Sequence, residues 1–345
     1  MRSSLYQQIR LWSGIFSIGF GWLLGWVAYA CSLGLDGQPV LDAPVWLLAL
    51  LTAAFFSLTH LPFDFFSGHV VEKAVTDSGE PFLSWLVSWL KGQCLYLPAA
   101  AIGISLISWI GPSSWTATWT AGALVFAGSC LLIGLLPTLW NWLPGSATTD
   151  LHLQDSINQQ LRAFGQPPIR LKILEDGGLE GANGMIPPFH RNHLFINSTA
   201  ATKLEPLELA MLAHRERSFH SAGHGWGTVA IVSTWAATGF LLAVLLPGGA
   251  LPANSPIQYG LAGSAVLTSW CLLALFVWPP LSHWSALRAD AAMGKLAGKD
   301  HARQLLTKLQ QINRTDTRLP VAKEQIFHPI PSLHQRLAAL ENVSS

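Results

Sequence analysis

The residues able to do chemistry crowd into Glu205–His224, EPLELAMLAHRERSFHSAGH. A helix bearing His-Glu-x-x-His places two imidazoles one turn apart on one face, where both reach a single zinc ion, with the Glu as general base. This segment matches that pattern in two registers. In the first, His214 to Ser218 keeps one histidine, puts Arg215 at the base position and puts Ser218 at the second ligand. In the second, Arg215 to Phe219 keeps only Glu216, the carboxylate. Arginine stays charged and repels a metal ion, serine is a poor ligand, and phenylalanine has no donor. Without a metal, nothing brings the pKa of a water near neutrality, so neither His214 nor Glu216 alone supplies a nucleophile.

A shifted donor set is the rival reading. Glu216, His220 and His224 are spaced i, i+4 and i+8, with His283 or Asp290 as further donors. The outer pair is separated by about 12 Å along a helix, too far for one ion, so only neighbouring pairs chelate. His214, His220 and His224 are the alternative candidate ligands, and the principal expectation is no metal. A third possibility is charge replacement. Arg215 beside Glu216, and near Asp290, would neutralise carboxylates whose burial without a cation is costly.

Other groups carry weaker signals. Lys91 in an apolar run reads as an interfacial charge, and Asp64 with Glu72-Lys73 as an ion pair. Gly177-Gly178 is a turn rather than a phosphate loop. His152, His190 and His193 lack metal-like spacing. Cys31, Cys94, Cys130 and Cys271 fall in apolar runs without CxxC spacing, so they read as small buried hydrophobes.

The elements that must hold these residues are set by composition. Of 345 residues, 50% are hydrophobic and 11% charged, against about 25% charged in soluble domains. Mean hydropathy is +0.37, and the 16 tryptophans suit bilayer interfaces. A net charge of +1 offers no basic face for nucleic acid.

Six stretches are long enough to span: 11–33, 44–62, 92–111, 117–140, 226–248 and 258–281, the third able to start earlier. The loops 34–43, 112–116 and 249–257 contain no Lys or Arg, whereas Arg162 to Arg217 and Arg288 to Arg336 are rich in both. Positive charge on one face predicts both termini in the cytoplasm, as in a bacterial inner membrane. A cleaved segment ending near Ala30 is the competing reading of residues 1–30.

The polar remainder predicts a small α+β body. A helix is expected over Asp150–Phe164, strands over Ile169–Leu174 and His193–Asn197, and a helix from Pro206. Leu207, Met211, His214 and Ser218 share one face of the latter. Further helices are expected over Trp284–Leu309 and Ser332–Leu340. The predicted organisation is a four-span region 1–140, a cytoplasmic part 141–225, a two-span hairpin 226–281 and a helical part 282–345 completing the body.

The ordered set resembles the membrane-embedded zinc metallopeptidases that include the type I CAAX prenyl proteases and bacterial quality-control proteases. The resemblance runs from Leu61 to Leu340. It rests on Leu61-Pro62-Phe63-Asp64 with Val70-Val71-Glu72-Lys73, and on Asn183 and the strand before Asn197, which resemble the substrate-bearing edge strand. Ala210-Met211-Leu212-Ala213-His214 is similar to Ala-Val-Leu-Ala-His, favouring the first register. Pro206, Glu208 and Leu209 fit Ser-Pro-x-Glu-Leu better in the second. Ala286-Leu287-Arg288-Ala289-Asp290 is similar to Glu-x-x-Ala-Asp, and His328-Pro329 with Arg336-Leu337 to a closing His-Pro…Arg-Ile with two extra residues.

The resemblance implies a third zinc ligand at Ala286, which has no donor. Asp290 and His224 would lie just outside the ligand shell, and a groove would run beside Asn183 and Asn197. The expectation is a fold with six transmembrane helices plus a small cytoplasmic α+β metallopeptidase-like domain. It would bind membrane polypeptides or regulate a partner protease without cleaving them. The alternatives are an active zinc endopeptidase with shifted ligands, or a structural subunit of a membrane assembly.

Overall fold

The computed structural model describes residues 2–34, 44–75, 81–110, 115–140, 147–174, 181–186, 192–221, 224–313, 315, 324 and 330–342. Apolar runs form α1 (Arg2–Leu33), α2 (Val45–Phe65), α4 (Phe82–Ile110), α5 (Trp115–Trp140), α9 (His224–Leu245) and α10 (Pro256–Ala297). A π-turn, Phe66–Val70, and the short α3 (Val71–Val75) prolong α2. Among the described residues five helices are long and apolar enough to cross a membrane. The fourth expected span, 117–140, falls on α5, where the apolar stretch Thr116–Leu132 is shorter than those five. The third span begins at Phe82 and includes Lys91, which is exposed.

Side-chain bonds and close backbone approaches hold these helices together. Trp22 and Trp26 of α1 both donate to Ser269 Oγ of α10, at 2.9 and 3.1 Å. A Cβ on Gly263 would lie 2.5 Å from Ile107 Cγ2 of α4 and 2.7 Å from the Ala243 carbonyl of α9. Gly263 is therefore what lets three helices meet there. Asp64 accepts from Trp89 Nε1 at 3.0 Å, so its partner is an indole rather than the expected Lys73.

α10 departs from the expected division. The sequence places a span at 258–281, which contains Pro279 and Pro280, and a separate helix at Trp284–Leu309. The helix instead runs unbroken through both prolines for 42 residues, about 63 Å. It ends at Gly298, whose φ of 86° turns the chain into α11 (Lys299–Ile312). The hydrocarbon layer is about 30 Å thick, so one rod joins the membrane region to the extramembrane body.

That body contains α6 (Leu151–Ala163), a four-stranded sheet, α7 (Ser198–Lys203), α8 (Pro206–Ser221), α11 and α12 (Leu333–Glu341). The strands β1 (Ala147–Thr148), β2 (Arg170–Leu174), β3 (Gly184–Met185) and β4 (His193–Asn197) lie in the order β1-β2-β4-β3. β2 and β4 are parallel, with Leu171 opposite Leu194. Among the described strands the one before Asn197 is therefore internal, and the edges are β1 and β3, the latter directly after Asn183. This corrects the sequence reading, which made the longer, more apolar strand the edge. Leu194, Phe195 and Ile196 are all buried, as suits a strand paired on both sides. Ile157, Leu171, Leu194, Leu209, Met211, Met293, Leu305 and Leu340 share one core, so residues on both sides of the α9–α10 hairpin build one body.

Candidate functional site

α8 starts where its capping chemistry dictates. Pro206 occupies the first helical position, and Glu208 reaches back to accept from Glu205 N–H at 2.7 Å. Lys308 of α11 binds the same carboxylate at 2.6 Å. Leu209 to Ala213 are buried without interruption, which delivers His214 to Phe219 to the junction with α10.

At that junction four charged groups converge. Arg215 Nε donates to Asp290 Oδ1 at 2.7 Å, and its Nη1 donates to Glu216 Oε1 at 2.6 Å. From α12, Arg336 grips Asp290 through Nε to Oδ2 at 2.6 Å and Nη2 to Oδ1 at 2.9 Å. This two-point fork is the strong geometry for guanidinium and carboxylate. Asp290 is fully buried, and the Arg215, Glu216 and Arg336 side chains are only 12–14% exposed. Two positive and two negative groups make the cluster neutral.

The electrostatics follow from this packing. Burial by itself would lower the pKa of Arg215, but Asp290 and Glu216 overcome it and raise it above the ordinary arginine value. Burial also pushes the Glu216 carboxyl up, and Arg215 opposes the rise.

The remaining candidates separate around this cluster. The Phe219 ring lies beneath the Arg215 guanidinium, 5.5 Å from its centre, in a cation–π contact. Ala286 is buried one turn before Asp290 on α10. His214 turns elsewhere: its Nδ1 lies 3.2 Å from Gln166 Oε1, and it meets the Ala292 backbone. Burial lowers its pKa from 6.5. Ser218 Oγ donates back to the Arg215 carbonyl at 2.6 Å. His283 is buried in α10. The side chains of His220 and His224 lie outside the described residues, as do His190, Gly177-Gly178 and His328-Pro329.

Asn197 is a local clip. Its Oδ1 accepts from Asn183 N–H at 3.0 Å and from Ala200 N–H at 3.1 Å, capping α7, and its Nδ2 donates to the Gly181 carbonyl. Asn183 is exposed beside β3. A Cβ on Gly184 would lie 2.8 Å from Leu212 Cδ2, so the edge strand rests directly on α8.

Sequence reasoning missed two connectors, Gln166 and Asn313. Asn313 holds Ala182 N–H at 2.6 Å, and no motif flags it. Arg336 was visible only as part of the closing Arg-Leu pattern.

Zinc, the metal implied by the fold family, does not fit the donors at this junction. Glu216 and Asp290 already neutralise guanidinium groups, and Phe219 and Ala286 offer no lone pair. Among the described residues no three His, Cys, Asp or Glu side chains converge as a metal-binding group.

Long apolar helices feeding an α+β body, with a helix from the body laid against an extended span, define an integral membrane protein with an appended α+β body. The crystal structure of S. mikatae Ste24p matches it with a TM-score of 0.70 at 17% identity, over 98% of this chain and 88% of that one. At that identity the likeness is one of fold. No protein-family model matches the chain, and no curated protein matches it.

Proposed function

We propose that this protein is a pseudoprotease, a membrane body that holds an extended polypeptide or regulates a membrane protease or assembly without cleaving a bond. The carrying observation is that Glu216, the one carboxylate at a base position, is engaged by Arg215 at 2.6 Å. A base must take a proton from water, and a carboxylate bound to a guanidinium, with no metal-binding group among the described residues, is poorly equipped to do so. β3 ends the sheet against α8, so an extended chain added there as a further strand would continue the sheet beside the helix that carries the cluster. The distribution of Lys and Arg supports cytoplasmic termini and body, in a bacterial inner membrane.

The test is hydrolysis and capture by the purified protein in nanodiscs. Membrane-derived and prenylated peptides should be retained uncut, and Met185→Pro at the edge strand should reduce retention. Metal-dependent cleavage that disappears in Glu216→Gln, with about one tightly held zinc per chain, would establish the endopeptidase instead. Co-purification of a stoichiometric partner, with no retention of free peptides, would favour the assembly subunit.

A further inference from the structure

We infer that the Arg215 guanidinium serves as the permanent cation of this junction, in the place where a helix of this type seats a divalent ion, and that three side chains separate the site from a zinc centre. The inference shares the non-catalytic reading for these residues but makes no use of polypeptide binding.

The face of α8 turned towards Asp290 is set by contacts. Arg215 bonds Asp290, and Phe219, one turn on, lies under the same guanidinium. Ala286 and Asp290 are one turn apart on α10. Arg215, Phe219 and Ala286 therefore line one junction. His214 and Ser218 spend their polar atoms elsewhere, on Gln166 and on the Arg215 carbonyl. Glu216 follows Arg215 as Glu follows the first histidine of His-Glu-x-x-His. This is the second register.

Each replacement is physically matched to the others. A metal centre concentrates positive charge that offsets neighbouring carboxylates. Here Asp290 and Glu216 remain, and a guanidinium supplies the positive charge through directed N–H donors. Phe219, where a second imidazole would sit, offers its ring face to that cation. Ala286 carries no third carboxylate, so the charge balances without a metal. Arg336 completes the neutrality and draws α12 into the same cluster. Unlike a bound metal, a side-chain cation cannot be removed by a chelator.

The test uses the full-length chain in detergent. Wild type, treated with EDTA and then given zinc, should melt at an unchanged temperature and retain no metal. Arg215→His with Phe219→His and Ala286→Glu should gain about one zinc per chain, and zinc should raise its Tm by several degrees. A folded triple variant that ignores zinc overturns the inference, as does wild type that holds the metal or melts earlier in EDTA. Should the triple variant fail to fold, Arg215→Met, Asp290→Asn and the double variant decide. The double should lose less Tm than the two singles summed, and strict additivity overturns the inference. Polypeptide retention enters none of these readouts, so its failure leaves the inference standing, and the reverse holds too.

Discussion

Arg215 Nε and Asp290 Oδ1 meet at 2.7 Å across 75 residues of chain, and this contact joins the body's central helix to the longest membrane helix. One partner is fully buried and the other nearly so. Removing the cation leaves Asp290 to Arg336 alone and strips the largely buried Glu216 of its guanidinium partner. Arg215→Met should therefore destabilise by about 3–5 kcal/mol, read as a large drop in Tm in detergent. Arg215→Lys should recover part of it, because an ammonium keeps the charge but lacks the separate nitrogens that reach Asp290 and Glu216. A Met variant that melts like wild type would show that the pair contributes nothing.

Arg336 supplies the only described α12 side chain in this cluster, so it should govern how firmly that helix docks. In Arg336→Ala, Asp290 loses both bonds of its fork, although Leu333 and Leu340 remain in the core. The expected outcome is selective fraying: limited proteolysis should release the end of the chain faster, with the membrane helices unaffected. Uniform protection in the variant would assign the docking to the leucines alone.

His214 gives a pH signature. Burial lowers its pKa in the folded state below 6.5, so on acidification the unfolded chain takes up the proton first. The linked stability is fully present above about pH 6.5 and is lost as pH falls through the folded-state value. Melting curves from pH 7.5 to 5 should show a loss that is smaller in His214→Gln. Identical slopes in the two proteins would remove His214 as the source.

Gly263 tests the membrane packing. Its Cβ would collide with Ile107 and with a backbone carbonyl of α9, and backbone cannot move aside as a side-chain tip can. Gly263→Ala should cost about 1–3 kcal/mol, whereas the same change at Gly128, which has open space around it, should be nearly silent. Equal effects at the two sites would contradict the described helix crossing.

Asn197→Ala should cost about 1 kcal/mol as a lost helix cap. It should also loosen residues 181–183, which Asn197 holds. Hydrogen exchange at Asn183 and Met185 should rise well before that of β2. Unchanged exchange would mean that Asn313 alone secures the edge.

Local rules made much of this protein legible in its residues. Asp150 caps α6, Pro206 opens α8, and β4 spans His193–Asn197 as read. Helix periods, caps and apolar length depend on neighbours a few residues apart, so they survive without knowledge of the fold. The loss of donors at 215, 219 and 286 was equally plain, being a matter of which atoms each side chain carries.

Three features were decided only by packing. Pro279 and Pro280 did not break α10, since an apolar setting with neighbouring helices tolerates a lost backbone bond. β4 proved internal and β3 an edge, because strand order depends on pairing rather than on length or apolarity. The polar partners of Arg215, Gln166 and Arg336 came from elements tens of residues away. An arginine's charge is written in the sequence, but which carboxylate it meets depends on where two distant helices cross.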